Sequence, residues 1–285
     1  MAVTLPGVVD RHVHLGLVDA ARLADGPVVE VHDLGWDPRA VRALADAPPT
    51  GVRVRYAGPF HTAPGGYPSG RAWAPDAAVR PVAAPEEAAA AVDDVVAAGG
   101  FAVKITLHAD MPLLPDAVLR ALVDAAHAAR LPALVHAEGT GQAERAVDAG
   151  ADTLVHVPWT EVLSDGLIER AAARTTWIST LAIHEGAAVG VALDNARRFV
   201  AAGGTLEYGT DLGNGPTPPG VNEREVELLG EAGLSGAALR HAVLGPPSAP
   251  RLTSPLPLPD TAPDLTAWLR ASRPAPPRRG SHGAR

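Results

Sequence analysis

Histidine, lysine and aspartate recur at points where this sequence is otherwise apolar. His12 and His14 lie two residues apart in the run Val8-Val9-Asp10-Arg11-His12-Val13-His14-Leu15. Val8, Val9, Val13 and Leu15 give that run a buried-strand composition. A strand has a period of two, so both imidazoles leave one face. Two neutral imidazoles aimed at one point can hold a borderline-soft metal ion. Asp10 shares their parity and stands where a carboxylate could fix a histidine tautomer. A pair of surface histidines on an edge strand would give the same pattern, so the rest of the chain has to decide.

Four more residues of this kind follow. Lys104 interrupts Phe101-Ala102-Val103-Ile105-Thr106-Leu107; His136 follows Leu134-Val135; His156 follows Thr153-Leu154-Val155; Asp211 ends Gly209-Thr210-Asp211. The elements that must position them read as strands over residues 8–15, 27–32, 52–56, 101–107, 134–137, 153–157, 176–181 and 205–211. Helices are predicted over 37–47, 85–98, 115–130, 141–149, 165–174, 188–202, 222–232 and 235–243, with a mixed segment at 17–25. Asp37 and Pro38 form a helix start, and Gly99-Gly100 and Gly150 form helix ends. A Gly- and Pro-rich loop is expected over 58–70.

Strands separated by helices predict an α/β fold, a single-domain (β/α)8 TIM barrel over residues 1–250. A doubly wound sheet is the alternative. Residues 251–285 read as a Pro-rich tail, with one docked turn at 265–269 and disorder from 273. Catalytic groups of a barrel sit at the C-terminal ends of its strands, so His12, His14, Lys104, His136, His156 and Asp211 should meet at one mouth. Singly, each has a plain explanation: a buried lysine can pair with a carboxylate, a buried histidine can be a satisfied core group, and an aspartate can cap a turn. Together, at one depth on five strands, they predict a metal centre.

Composition limits what else the chain can be. It has 285 residues, 47% hydrophobic, and a formal net charge of -8. Cysteine is absent, which excludes disulfides, thiolate metal sites and cysteine nucleophiles. Scattered basic residues exclude nucleic acid as a partner. Neither a basic-then-apolar leader nor an apolar run of about 18 residues is visible, so a soluble, cytoplasmic protein with no membrane partner is expected. A small-molecule substrate is expected, and the possibility of a homo-oligomer is left open.

The ordered set His12-x-His14, Lys104, His136, His156, Asp211 resembles the amidohydrolase superfamily, in particular its imidazolonepropionase-like and prolidase-like branch. Gly65-Gly66, His136-Ala137-Glu138-Gly139 and Ala149-Gly150-Ala151-Asp152 support the resemblance, which covers about residues 6–245. The chain departs from the branch at Val155, where a glutamate is common, and at Tyr67, where a histidine is common. The usual N-terminal part of a β-sandwich is expected to be missing, and the Pro-rich C-terminus is not expected to replace it.

The resemblance implies a metal-dependent hydrolase, a binuclear zinc-type amidohydrolase. Lys104 would be carboxylated and bridge two divalent ions, Zn²⁺ foremost, with Mn²⁺, Fe²⁺ or Co²⁺ also suited to the ligands. His12, His14 and Asp211 would hold one ion and His136 and His156 the other. A bridging hydroxide would attack, with Asp211 as the catalytic proton carrier. If Lys104 stays unmodified, one ion at His12, His14 and Asp211 could suffice. Amide, cyclic amide or related C–N bonds are the first expected targets. Lactones, esters or phosphotriesters, and a non-catalytic scaffold with a vestigial site, are the alternatives. Positions after the predicted strands offer His61, Tyr67, His108, Glu138, Trp159 and His184 as substrate contacts, with Arg71 the nearest arginine.

Overall fold

The computed structural model describes residues 2–48, 51–215 and 217–276. In chain order it begins with β1 (Val3–Pro6), β2 (Val8–Val13) and β3 (Val28–Asp33), then α1 (Pro38–Asp46) and β4 (Arg53–Tyr56). Next come β5 (Phe60–Thr62), β6 (Val79–Pro81), α2 (Ala88–Ala98), β7 (Val103–His108), α3 (Asp116–Ala128), β8 (Ala133–Glu138) and α4 (Gln142–Ala149). The alternation continues through β9 (Thr153–Val155), α5 (Asp165–Arg174), β10 (Thr176–Ile178), α6 (Ala187–Ala201) and β11 (Thr205–Glu207). Helices α7 (Glu223–Glu231) and α8 (Gly236–Val243) precede β12 (Arg251–Ser254), α9 (Ala262–Arg270) and β13 (Arg273–Pro274).

Strands β2, β3 and β4 pair in parallel, and a second parallel run has the order β11-β10-β9-β8-β7-β5-β6. The two runs close on each other. Arg11 N donates to Tyr208 O at 3.1 Å and His14 N to Leu212 O at 2.7 Å, while Phe101 N donates to Tyr56 O at 2.9 Å. The result is the (β/α)8 barrel that the alternation predicts. β4 and β5 are two halves of one barrel strand. Between them stands Ala57-Gly58-Pro59, and proline has no N–H for the ladder. Part of the expected loop over 58–70 is therefore strand, with Phe60 paired to Lys104.

Local signals set the ends of the helices. Asp37 accepts from Arg39 N and Pro38 opens α1. Gly150 closes α4 at φ 94°, a conformation that an L side chain resists. The main core lies between the barrel wall and the helices. A smaller cluster of Leu34, Ala57, Ala102, Leu134, Val155 and Ile178 fills the barrel interior.

The chain ends differ from expectation. β1 pairs antiparallel with β12, and β12 with β13, so the two ends share a three-stranded sheet. The expected tail is thus structured through residue 276. Leu252, Leu265, Trp268 and Leu269 are buried, and α9 packs on α7. Pro274, one of the prolines that suggested disorder, lies in β13 opposite Leu252, and Pro263 sits in the first turn of α9 behind a Thr261–Asp264 capping box. Residues 277–285 lie outside the described residues. Among the described residues, no helix is long and apolar enough to cross a membrane.

Candidate metal centre

β2 carries His12 near its C-terminal end, and His14 follows directly. Their Nε2 atoms are 3.2 Å apart, and each is 3.2 Å from Asp211 Oδ1. All three residues are buried. His14 Nδ1 lies 3.1 Å from Gly35 O. A carbonyl only accepts, so Nδ1 donates, and in the neutral ring Nε2 carries the lone pair. Burial, then the nearby Lys104 and histidines, hold His12 well below its ordinary pKa. For His14, burial works downward, but the hydrogen bond and charge of Asp211 turn the balance upward.

Three such atoms have too few protons to bond one another. A tetrahedral ion with ligands at about 2.1 Å would hold them roughly 3.4 Å apart. The observed spacing therefore fits a divalent cation.

The second group faces the first. His156 follows β9 and bonds Thr180 Oγ1 through Nδ1 at 2.6 Å, leaving Nε2 unengaged. His136 on β8 gives Nε2 to Glu138 Oε2 at 3.1 Å, leaving Nδ1. Burial lowers the pKa of both imidazoles. The rings of His136 and His156 are 5.0 Å apart, and those of His12 and His156 are 4.7 Å apart. Lys104 on β7 is buried, and burial pushes its ammonium down to about 7. His12, His14, Lys104, His136, His156 and Asp211 all line one cavity of about 160 Å³.

Backbone strain marks the same place. His156 at φ 74°, Thr180 at φ 44° and Asp211 at φ 54° are held in the left-handed region, at a cost of about 1–3 kcal/mol each. Asn214 donates to both Asp211 oxygens, at 3.1 and 3.0 Å.

Asp10 has a different part from the expected one. Its carboxylate accepts from His12 N, Thr210 N and Thr210 Oγ1, and burial raises its pKa to about 7. It ties the backbone of His12 to the backbone next to Asp211. It does not reach the imidazole, and His12 Nδ1 has no partner among the described residues. The register shifts between Asp10 and Val13, so simple alternation misplaces it.

The expected substrate contacts divide. Tyr67, Glu138 and Trp159 line the cavity. His108 stands behind them, with Nε2 3.3 Å from Glu138 Oε1 and its ring 5.1 Å from that of Tyr67. His184 lies nearly flat on Trp159 at 4.8 Å and 27°, with burial pushing its pKa down to about 4. His61 is not at the site. It is fully buried and donates through Nδ1 to Lys104 O at 2.9 Å. Its segment is strand, not loop, so strand parity turns it away from the cavity.

Four lining residues went unread in the sequence: Phe60, Thr106, Ile183 and Asn214. Only Thr106 carried a signal, two residues after Lys104 on one strand face.

No protein-family model matches the chain, and no curated protein matches it. Solved structures do. Phenylurea hydrolase B aligns at 18% identity over 95% of this chain and 83% of that one, with a TM-score of 0.73. An amidohydrolase aligns at 19% identity over 92% and 82%, with a TM-score of 0.72. A Xaa-Pro dipeptidase with bound methionine aligns at 18% identity over 90% and 82%, with a TM-score of 0.71. What the chain shares with these structures is the fold, the (β/α)8 barrel.

Proposed function

We propose that this chain is a metal-dependent hydrolase of amide, cyclic amide or related C–N bonds. The observation that carries the reading is the convergence of His12 Nε2, His14 Nε2 and Asp211 Oδ1 within one cavity that Lys104, His136 and His156 also line. His12, His14 and Asp211 would hold one divalent ion, Zn²⁺ foremost. His136 and His156 would hold a second, with a carboxylated Lys104 between the two. Bound there, such ions supply ionised water at neutral pH and polarise a carbonyl.

The chain's own groups account for the rest. A lysine with a pKa of about 7 is substantially an amine at neutral pH. Its nitrogen adds to the carbon of CO₂ and loses one proton, giving a carbamate. Asp211 is held by Asn214 and by the two histidines. It takes the proton of the attacking water and returns one to the departing nitrogen. Burial and the charges of Asp211 and Glu138 raise the Tyr67 pKa, so its phenol remains a donor beside the reacting carbonyl.

The test is metal analysis joined to a substrate panel. After dialysis against zinc, the chain should retain two equivalents, and an amide should be hydrolysed faster than the matching lactone or phosphotriester. His12→Ala should lose metal and activity together. A chain that keeps no stoichiometric metal and hydrolyses nothing is not a hydrolase of this kind.

A further inference from the structure

We infer that the substrate is a neutral amide of an aromatic amine, an anilide, and not an amide bearing a free carboxylate. The inference rests on the hydrolase reading above. Two aromatic walls meet at the site. Tyr67 stacks on His136 at 5.2 Å and 19°, with His108 against it at 5.1 Å. Trp159 meets His136 edge-on at 5.9 Å and 68°, backed by His184. Phe60 and Ile183 complete the apolar part of the lining. Aromatic walls favour a flat ring, through offset stacking or edge contact.

Charge gives the other half. Besides histidine, the ionisable groups of the lining are Tyr67, Lys104, Glu138 and Asp211. Lys104 and Asp211 belong to the metal group. Glu138 is shared by His136 and His108, and its carboxylate lines the cavity. No arginine lines the cavity among the described residues. Arg71 sits over Tyr67, 5.9 Å from the ring centroid, with Nη2 on Met111 Sδ. A ligand carboxylate would find repulsion and no built partner, whereas a neutral ring loses nothing. The reaction balances with one water. Oxygen bonds to the carbonyl carbon, the C–N bond breaks, and nitrogen leaves with its electron pair and a proton as an arylamine.

The experiment uses the full chain loaded with zinc and three substrates: 4-nitroacetanilide, N-acetylglycine and glycylalanine. Binding is measured apart from turnover, by quenching of tryptophan fluorescence with acetanilide or N-acetylglycine. kcat/KM should be about 100-fold higher for the anilide than for either carboxylate. Trp159→Leu, with unchanged circular dichroism, should raise KM for the anilide by about tenfold while kcat changes little. Preference for N-acetylglycine or glycylalanine, removed by Arg71→Ala, overturns the inference and leaves the hydrolase reading standing. If none of the three is hydrolysed, the metal content decides the hydrolase reading separately, and binding decides the ligand class. Saturable quenching by acetanilide alone then supports it, and equal or stronger quenching by N-acetylglycine overturns it.

Discussion

Lys104 separates a one-ion site from a two-ion site. It lines the cavity with its ammonium weakened by burial, and among the described residues it forms no ion pair. Replacing it with alanine should remove any group shared between two ions. Wild type should bind two equivalents of zinc, Lys104→Ala one or none, and hydrolysis should fall by at least about 100-fold. A short carboxylic acid in the buffer should restore part of the rate. A variant that keeps two ions and full activity would make Lys104 structural. At this scale the sequence was readable in placing His12, His14, His136 and His156 at one mouth, and all four line one cavity. It was unreadable where position depends on a bulge or on a strand taken for a loop. Asp10 clamps backbone and leaves the imidazole alone, and His61 props β7 from behind.

Element contacts shape the mouth through a buried acid. Glu225 on α7 accepts from Leu181 N at 2.9 Å and Ala182 N at 2.6 Å. It thereby holds the turn Leu181–Ile183, which carries Ile183 into the cavity wall. Burial raises its pKa to about 7, against the opposing pull of these bonds and of Ser179. A carboxyl raised in the folded state binds its proton more tightly there than in the unfolded chain. Its contribution is complete below the ordinary value of about 4.5 and is lost as pH rises through about 7. Wild type should therefore lose melting temperature between pH 5 and 8 relative to Glu225→Gln, by several degrees. The full linkage is at most on the order of 3 kcal/mol. Parallel melting curves of the two proteins would show that Glu225 does not titrate in this range. Helix boundaries such as the start of α1 and the end of α4 were legible because caps and glycines are local signals. The link from α7 to the strand β10 end was not, because it joins residues 44 apart in sequence.

At the scale of the whole molecule, barrel closure was legible from the count of alternating units. The joining of the chain ends was not. A four-residue strand at each end has too short a pattern to be read, and prolines near 255–263 disguise a helix start. The consequence is a prediction in two arms. Removing residues 273–285 deletes β13, whose two residues are exposed, and should leave the melting temperature nearly unchanged. Removing 251–285 is another matter. It strips β1 of its partner and takes away the buried Leu252, Leu265, Trp268 and Leu269. It also breaks the Arg270–Glu223 pair between α9 and α7. Each lost apolar side chain is worth roughly 1.5–3 kcal/mol of burial, against a domain stability of about 5–15 kcal/mol. The surface pair adds little beside that. The shorter chain should melt many degrees lower or fail to fold, as read by circular dichroism and by the soluble fraction on expression. If it melts like the full chain, the end sheet and α9 are accessory and the barrel closes without them. If removing 273–285 alone costs many degrees, the edge strand β13 or the residues beyond 276 hold the end sheet in place.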